Sequence, residues 1–301
     1  MNFLNRMVIF FMPLVPKPIV HIFSRRYVAG STLEDGVRVV RSLNQDGILA
    51  TMDVLGESTR NRQDAEAAVA EYIRVLHTIR EQGLDCNISL KPTQLGLLID
   101  ETFCLNNIRR IVSEAAQLGN FVRIDMEDSS CTTATLAIYD QLRREYGNVG
   151  VAIQAYLRRS HDDLLSLVQR PANFRICKGI YVEKRRIAFK DPQIINDNFV
   201  LLLETAIKHG AYVGIATHDE RLVWHALRLI EAYSLRRDQY EFQMLLGVDE
   251  ELRRIIVSAG HRLRVYVPFG RQWYAYCMRR MKENPKIALY VIKALFTKSK
   301  A

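Results

Sequence analysis

The amino-acid sequence predicts an α/β protein of the (β/α)8, TIM-type barrel class. Short β-rich runs alternate with longer amphipathic helical patterns along the body of the chain, in about eight units, the number such a barrel needs. Most of the β-rich runs are continuously apolar instead of strictly alternating, as in parallel strands covered on both faces. A doubly wound sheet is the main competitor. It usually carries a glycine-rich first turn, and the chain has no G-x-G-x-x-G.

In chain order the expected strands are 47–54, 86–90, 121–124, 149–155, 174–177, 212–216, 240–245 and 263–267. Helices fill the gaps. Over 64–81, Ala68, Ile73, Leu76 and Ile79 line one face and Gly83 stops the helix. The helices 105–118 and 199–209 end at Gly119 and Gly210 by the same signal. After Tyr266-Val-Pro-Phe-Gly270 comes a last helix with Tyr276, Arg279, Arg280 and Glu283 at i, i+3, i+4 and i+7, so these side chains share one face. Tyr274, Cys277, Met278 and Met281 form a second stripe roughly opposite. Two adjacent guanidiniums make a fork suited to a carboxylate. Taken alone, the same face reads more readily as a solvated surface with an Arg279–Glu283 pair, since most polar helix faces simply meet water.

No linker rich in Gly, Ser or Pro divides the chain, so 46–301 is read as one barrel and 1–45 as a helical segment packed on it. The apolar run 7–15 follows Arg6 and has the look of a signal peptide. It is far shorter than the ~20 residues of a membrane span. Pro13, Pro16 and Pro18 break it, and no small-x-small cleavage site follows.

Hydrophobic content of 49% and charged content of 25% suit a globular core. Cys86, Cys104, Cys131, Cys177 and Cys277 are scattered, with no C-x-x-C and no zinc spacing. That pattern fits a reducing, cytoplasmic setting and no structural metal. The net charge is +9 and the pI about 9.4. The arginines are spread along the chain, and no RNP, zinc-finger or basic-zipper pattern occurs, so no nucleic-acid partner is expected.

In a barrel, chemistry gathers where strands end, because the following loops converge on one mouth. There the sequence supplies Asp53 and Glu57, then Lys91, then Asp125, Glu127 and Asp128. Gln154, Tyr156 and Arg158 follow, then Arg175, Lys178 and Tyr181, then Thr217, His218 and Asp219. Each charged residue among them would cost several kcal/mol if buried unpaired. Singly, each has a plainer reading. Lys91 and Asp125 suit a structural ion pair at the rim, His218 a core histidine, Gly179 a tight turn and Tyr266 packing.

Together these residues carry a resemblance. Asp53-x-Leu-Gly-Glu57, Ser89-Leu-Lys91, Arg123-Ile-Asp125-Met126-Glu127, Gln154-Ala-Tyr156 and Arg175-Ile-Cys-Lys178-Gly179-Ile-Tyr181 occur in that order. Ala216-Thr217-His218-Asp219, Gln243-Met-Leu-Leu-Gly247 and Tyr276-x-x-Arg279-Arg280-x-x-Glu283 complete the set. From about Gly47 to Pro285 the chain resembles the proline dehydrogenase family, in its monofunctional bacterial form. Any one motif is weak; unrelated barrels do not share all of them in register.

The resemblance implies a distorted (β/α)8 barrel with extra N-terminal helices and the last helix lying over the barrel mouth. It implies FAD-dependent oxidation of L-proline to Δ1-pyrroline-5-carboxylate, by hydride transfer from C5 to flavin N5, as the first step of proline catabolism. By motif, Arg279 and Arg280 would clamp the substrate carboxylate, with Glu283 holding the fork. Tyr266 and Tyr276 would shape the pocket. Lys91 and Asp125 would complete the polar floor, with Asp125 the residue usually called catalytic. Arg175 would donate to the flavin near N5. Met126, Gln154, Lys178, Gly179, Ile180, Thr217 and His218 would contact the cofactor. A cationic pocket would aid loss of the amine proton. Electrons would pass to a membrane quinone, which implies a peripheral membrane contact, and a pyrroline-5-carboxylate dehydrogenase would be a partner.

Two positions depart from the family pattern: Ile180 where Ala is common and Leu246 where an aromatic is common. The tail 286–301 is apolar and basic, suited to an anionic membrane, to capping the barrel or to self-association. The competing readings are a flavoenzyme for a related cyclic amino acid such as hydroxyproline, and a catalytically silent barrel that acts as a binding protein.

Overall fold

The computed structural model of the protein describes residues 24–274 and 276–278. Helix α1 (Leu33–Gln45) precedes β1 (Leu49–Val54), α2 (Arg62–Glu81), β2 (Cys86–Leu90), α3 (Glu101–Gln117), β3 (Val122–Ile124) and α4 (Thr132–Glu145). There follow β4 (Val149–Gln154), α5 (Ser160–Leu167), β5 (Asn173–Cys177), α6 (Pro192–Lys208), β6 (Tyr212–Ala216), α7 (Glu220–Ala232), β7 (Tyr240–Leu245), α8 (Glu250–Ser258) and β8 (Leu263–Phe269). The strands form one closed barrel in sequence order. All neighbours are parallel, and β8 closes on β1 from Leu49↔Arg264 to Val54↔Phe269. The predicted (β/α)8 barrel is therefore the fold, and each strand begins and ends within two residues of its expected place.

Two helices start earlier than their apolar pattern. Helix α3 begins at Glu101 because the Asp100 carboxylate caps it by accepting from Phe103 N–H at 2.6 Å. Helix α6 begins at Pro192 because Asp191 caps it and proline suits the first helical position.

The outward residues of the strands make the core. Met52, Ile88, Ile124, Val151, Phe174, Ile215, Phe242 and Val265, one from each strand, are no more than 1% exposed. Their neighbours point inward, since side chains alternate across a strand. Barrel interiors are usually filled by Val, Ile and Leu. Here the interior is polar: Thr51, Asp53, Ser89, Arg123, Gln154, Arg175, Glu241 and Gln243 are all buried. Arg123 shows how such a group is tolerated. It donates to the carbonyls of Asn173 and Val151 at 2.7 and 3.2 Å and to the Asn173 side chain, while burial pushes its guanidinium down to about 9.

Helix α1 clads β8 and β1 on the outside. Gly36 makes this close approach possible, because a Cβ there would come within 2.5 Å of the Met52 methyl. The rest of the expected 1–45 segment, up to residue 23, lies outside the described residues. So does most of the expected last helix, with Arg279, Arg280, Glu283 and the tail 286–301. Among the described residues no helix is long and apolar enough to cross a membrane.

Candidate active site

A cavity of about 400 Å³ opens at the C-terminal ends of the strands. That is the size of a small-molecule site. Every expected site residue that falls among the described residues lines it. Lys91, Asp125, Met126 and Gln154 come from the ends of β2 to β4, and Arg175, Lys178, Gly179 and Ile180 from β5 and its loop. Thr217 and His218 follow β6, Tyr266 is on β8, and Tyr276 stands beyond it. Strand register brings these residues together, so residues far apart in sequence share one wall.

The floor has two halves. In one, Lys91 Nζ donates to both oxygens of Asp53 at 2.8 Å and lies 3.4 Å from the Tyr266 hydroxyl. Tyr72 donates to Gln94 at 3.1 Å from beneath. Burial opposes the charge on Lys91 most strongly, but the Asp53 charge and hydrogen bond, together with Asp125 and Tyr72, outweigh it and raise the lysine above its ordinary value. Burial, then the Asp53 charge, raises the Tyr266 hydroxyl, which stays protonated.

In the other half, Arg175 Nη1 donates to Asp125 and to Ser89 Oγ, the latter at 3.2 Å. Ser89 Oγ also donates to Asp125 at 2.7 Å. Arg175 Nε donates to Gln243 Oε1 at 2.6 Å, and the guanidinium lies 5.8 Å from the centre of the Tyr266 ring. Below, Arg264 Nε meets Glu241 at 2.7 Å. The expected rim pair of Lys91 with Asp125 is thus not formed. Asp53 stands opposite Ser89 in the β1–β2 register, one step from Lys91, and takes the lysine; Asp125 takes Arg175.

The walls are built for a ligand. The Gln154 amide donates to the Met126 carbonyl at 2.9 Å, while its oxygen is buried with no donor among the described residues. A ligand N–H would satisfy it. Gly179 has φ +97°, and a Cβ there would meet the Tyr156 ring at 2.2 Å, so glycine is required for the chain to pass. Lys178 donates to Asp219 at 2.7 Å, and Asp219 also caps α7 through Arg221 N–H. This ties the cavity rim to a helix start. His218 Nε2 accepts the Leu245 N–H at 2.8 Å, which places the proton of a neutral ring on Nδ1. His218 therefore holds β7 as well as facing the cavity. Glu127, raised by burial, is held by the backbone and hydroxyl of Thr93 at 2.9 and 2.6 Å.

Each of the cavity's described cations meets one carboxylate: Lys91–Asp53, Arg175–Asp125, Arg264–Glu241 and Lys178–Asp219. With Glu127 also lining the cavity, the described residues carry no cationic excess. The expected cationic excess falls on Arg279 and Arg280, which lie outside the described residues. Asp53, Gln243 and Arg264 belong to the site; the sequence places Asp53 at a strand end and Gln243 in a motif but gives none of the three a role. Their signal was a polar residue two positions from another on a strand whose faces are both covered.

A closed parallel barrel with a walled cavity at its strand ends, floored by buried ion pairs, defines a barrel enzyme. The sequence model of proline dehydrogenase matches residues 37–291. The chain belongs to the proline dehydrogenase family. Proline dehydrogenase 1 of Bacillus subtilis subsp. natto is 38% identical over 275 residues, 91% of each chain. Proline dehydrogenase of Deinococcus radiodurans is 34% identical over 277 residues, 90% of this chain and 89% of that one. Among solved structures, proline utilization A (PutA) from Bdellovibrio bacteriovorus, inactivated by N-propargylglycine, is similar with a TM-score of 0.82 at 23% identity. That likeness is one of fold. It covers 87% of this chain, which spans 33% of the length of that one.

Proposed function

We propose that the chain oxidises L-proline to Δ1-pyrroline-5-carboxylate, the first step of proline catabolism, with bound FAD as oxidant and a quinone as the onward acceptor. The observation that carries this reading is the convergence of the expected residues on one cavity, with a buried Gln154 oxygen awaiting a donor. FAD, when bound, supplies a two-electron oxidant. Met126, Gln154, Arg175, Lys178, Gly179, Ile180, Thr217 and His218 would hold it. The Gly179 passage and the Lys178 ammonium suit a flat ligand that carries phosphates.

The chain's own task is then to bind, orient and desolvate. Lys91, Tyr266 and Tyr276 would bound the proline ring, with the Arg279–Arg280 fork on its carboxylate and Glu283 behind the fork. Asp125 holds Arg175 in place at the floor. Positive charge beside the substrate amine would favour loss of its proton before oxidation. A cytoplasmic enzyme in peripheral contact with a membrane would reach its quinone there, and a pyrroline-5-carboxylate dehydrogenase would consume the product.

The test is direct. Purified protein should be yellow, and anaerobic L-proline should bleach its flavin band. Colourless protein that takes up no FAD would overturn the proposal, as would a flavin that hydroxyproline bleaches and proline does not.

A further inference from the structure

Glu241 on β7 is 2% exposed and does not reach the cavity, so the reaction proposed above gives it no task. Its surroundings suggest one. Glu241 Oε1 accepts from Gln243 Nε2 at 2.6 Å and from Arg264 Nε at 2.7 Å. Gln243 Oε1 in turn accepts from Arg175 Nε at 2.6 Å. An amide has one accepting end and one donating end. Turned over, Gln243 would set its NH2 group against the Arg175 N–H and its oxygen against the carboxylate. An ionised carboxylate only accepts, so Glu241 holds the donating end of the amide and locks the orientation that the Arg175 N–H requires at the other end. Arg264 keeps Glu241 ionised against its burial. The space is prepared as well, because a Cβ on Gly214 would lie 2.5 Å from Gln243 Nε2.

The consequence reaches the cavity. Gln243 takes Nε of Arg175, while Asp125 and Ser89 take Nη1. The plane of the guanidinium is then fixed at two corners. Its third corner, Nη2, makes no hydrogen bond among the described residues, and Arg175 lines the cavity. We propose that Glu241 is a positioning residue: through the Gln243 amide it sets the plane of Arg175 and so aims Nη2 at the flavin bound in the cavity. This rests on the flavin reading of the site.

The test compares wild type, Glu241→Gln, Arg175→Ala and the double variant. Three quantities are followed: the midpoint potential of the bound FAD, the rate of anaerobic bleaching by proline, and KM. In Glu241→Gln the bleaching rate should fall about tenfold, the worth of one well-made hydrogen bond to a charged group. The potential should become more negative and KM should stay within about twofold, since no substrate contact is lost. On the Arg175→Ala background, Glu241→Gln should change nothing further, because the two act through one another. An equal fall on that background, or a potential and rate unmoved by Glu241→Gln, would overturn the proposal. Should Glu241→Gln fail to fold with Arg264 left unpaired, Gln243→Met leaves that ion pair intact and is judged by the same criteria. Flavin-free wild type overturns the functional reading and this inference with it. Flavin-bearing wild type with an insensitive Glu241→Gln overturns this inference alone.

Discussion

Phe174 and Arg175 are neighbours on β5 and face opposite sides of it. Phe174 is 0% exposed and packs edge-on against Tyr139 at 6.5 Å between ring centres, under the helices. Arg175 faces the barrel axis and is held through named hydrogen bonds to Gln243, Ser89 and Asp125. The same contrast runs around the barrel. Outward residues are interchangeable apolar volume, where a swap of equal size usually costs under about 1.5 kcal/mol. Inward residues are a set of donors and acceptors, where each change strands a partner. One strand thus carries two kinds of information. The outer face specifies the barrel and the inner face specifies what the barrel does.

That division can be attacked directly. Phe174→Ala should cost about 3–5 kcal/mol of unfolding free energy, read by chemical denaturation, and leave KM for proline nearly unchanged in the folded fraction. Arg175→Met should slow anaerobic flavin bleaching about 100-fold, or about 2.7 kcal/mol. Its unfolding midpoint should fall as well, because Asp125 is left largely buried without its cation, so the bleaching rate is what separates it from Phe174→Ala. Reversed outcomes in this pair would break the comparison.

A pH profile would sharpen it, because apolar burial does not titrate and the inner wall does. The Lys91 value is raised in the folded state. Its contribution is full below the unfolded value of 10.5 and is lost as pH climbs beyond that. Glu241 is lowered, so its contribution is present above 4.5 and is lost as pH falls below. Lys91→Met should therefore flatten the alkaline limb of the stability profile, and it should also alter the acid limb, because Asp53, already raised by burial, loses the cation that holds it down. An alkaline limb identical to wild type would count against a charged Lys91–Asp53 pair. The smallest effect belongs to the rim. Lys178→Met should change stability by under about 1 kcal/mol in thermal melts, since side-chain exposures of 38% and 28% leave the pair with Asp219 in water.

The strands were legible because a strand covered on both faces keeps an apolar run even when it carries a few polar residues. The mouth residues were legible because polar groups at the ends of such runs stand out. The inner pairing was not. Which carboxylate Lys91 takes depends on the β1–β2 register, which places Asp53 opposite Ser89, and no local pattern encodes that. Glu241 and Gln243 alternate with Tyr240, Phe242 and Met244, which reads as a strand with one wet face. Only closure of the barrel turns that face inward. Helix starts were missed by several residues because Asp100 and Asp191 set them by capping, ahead of the first apolar residue.

Helix α1 has a last consequence. In a regular barrel each strand is followed by the helix that covers the wall, so the final seam waits for the end of the chain. Here a helix from before β1 already covers the β8–β1 seam. Among the described residues the seam is thus covered from the N-terminal side, and the segment beyond Phe269 brings Tyr276 to the cavity instead.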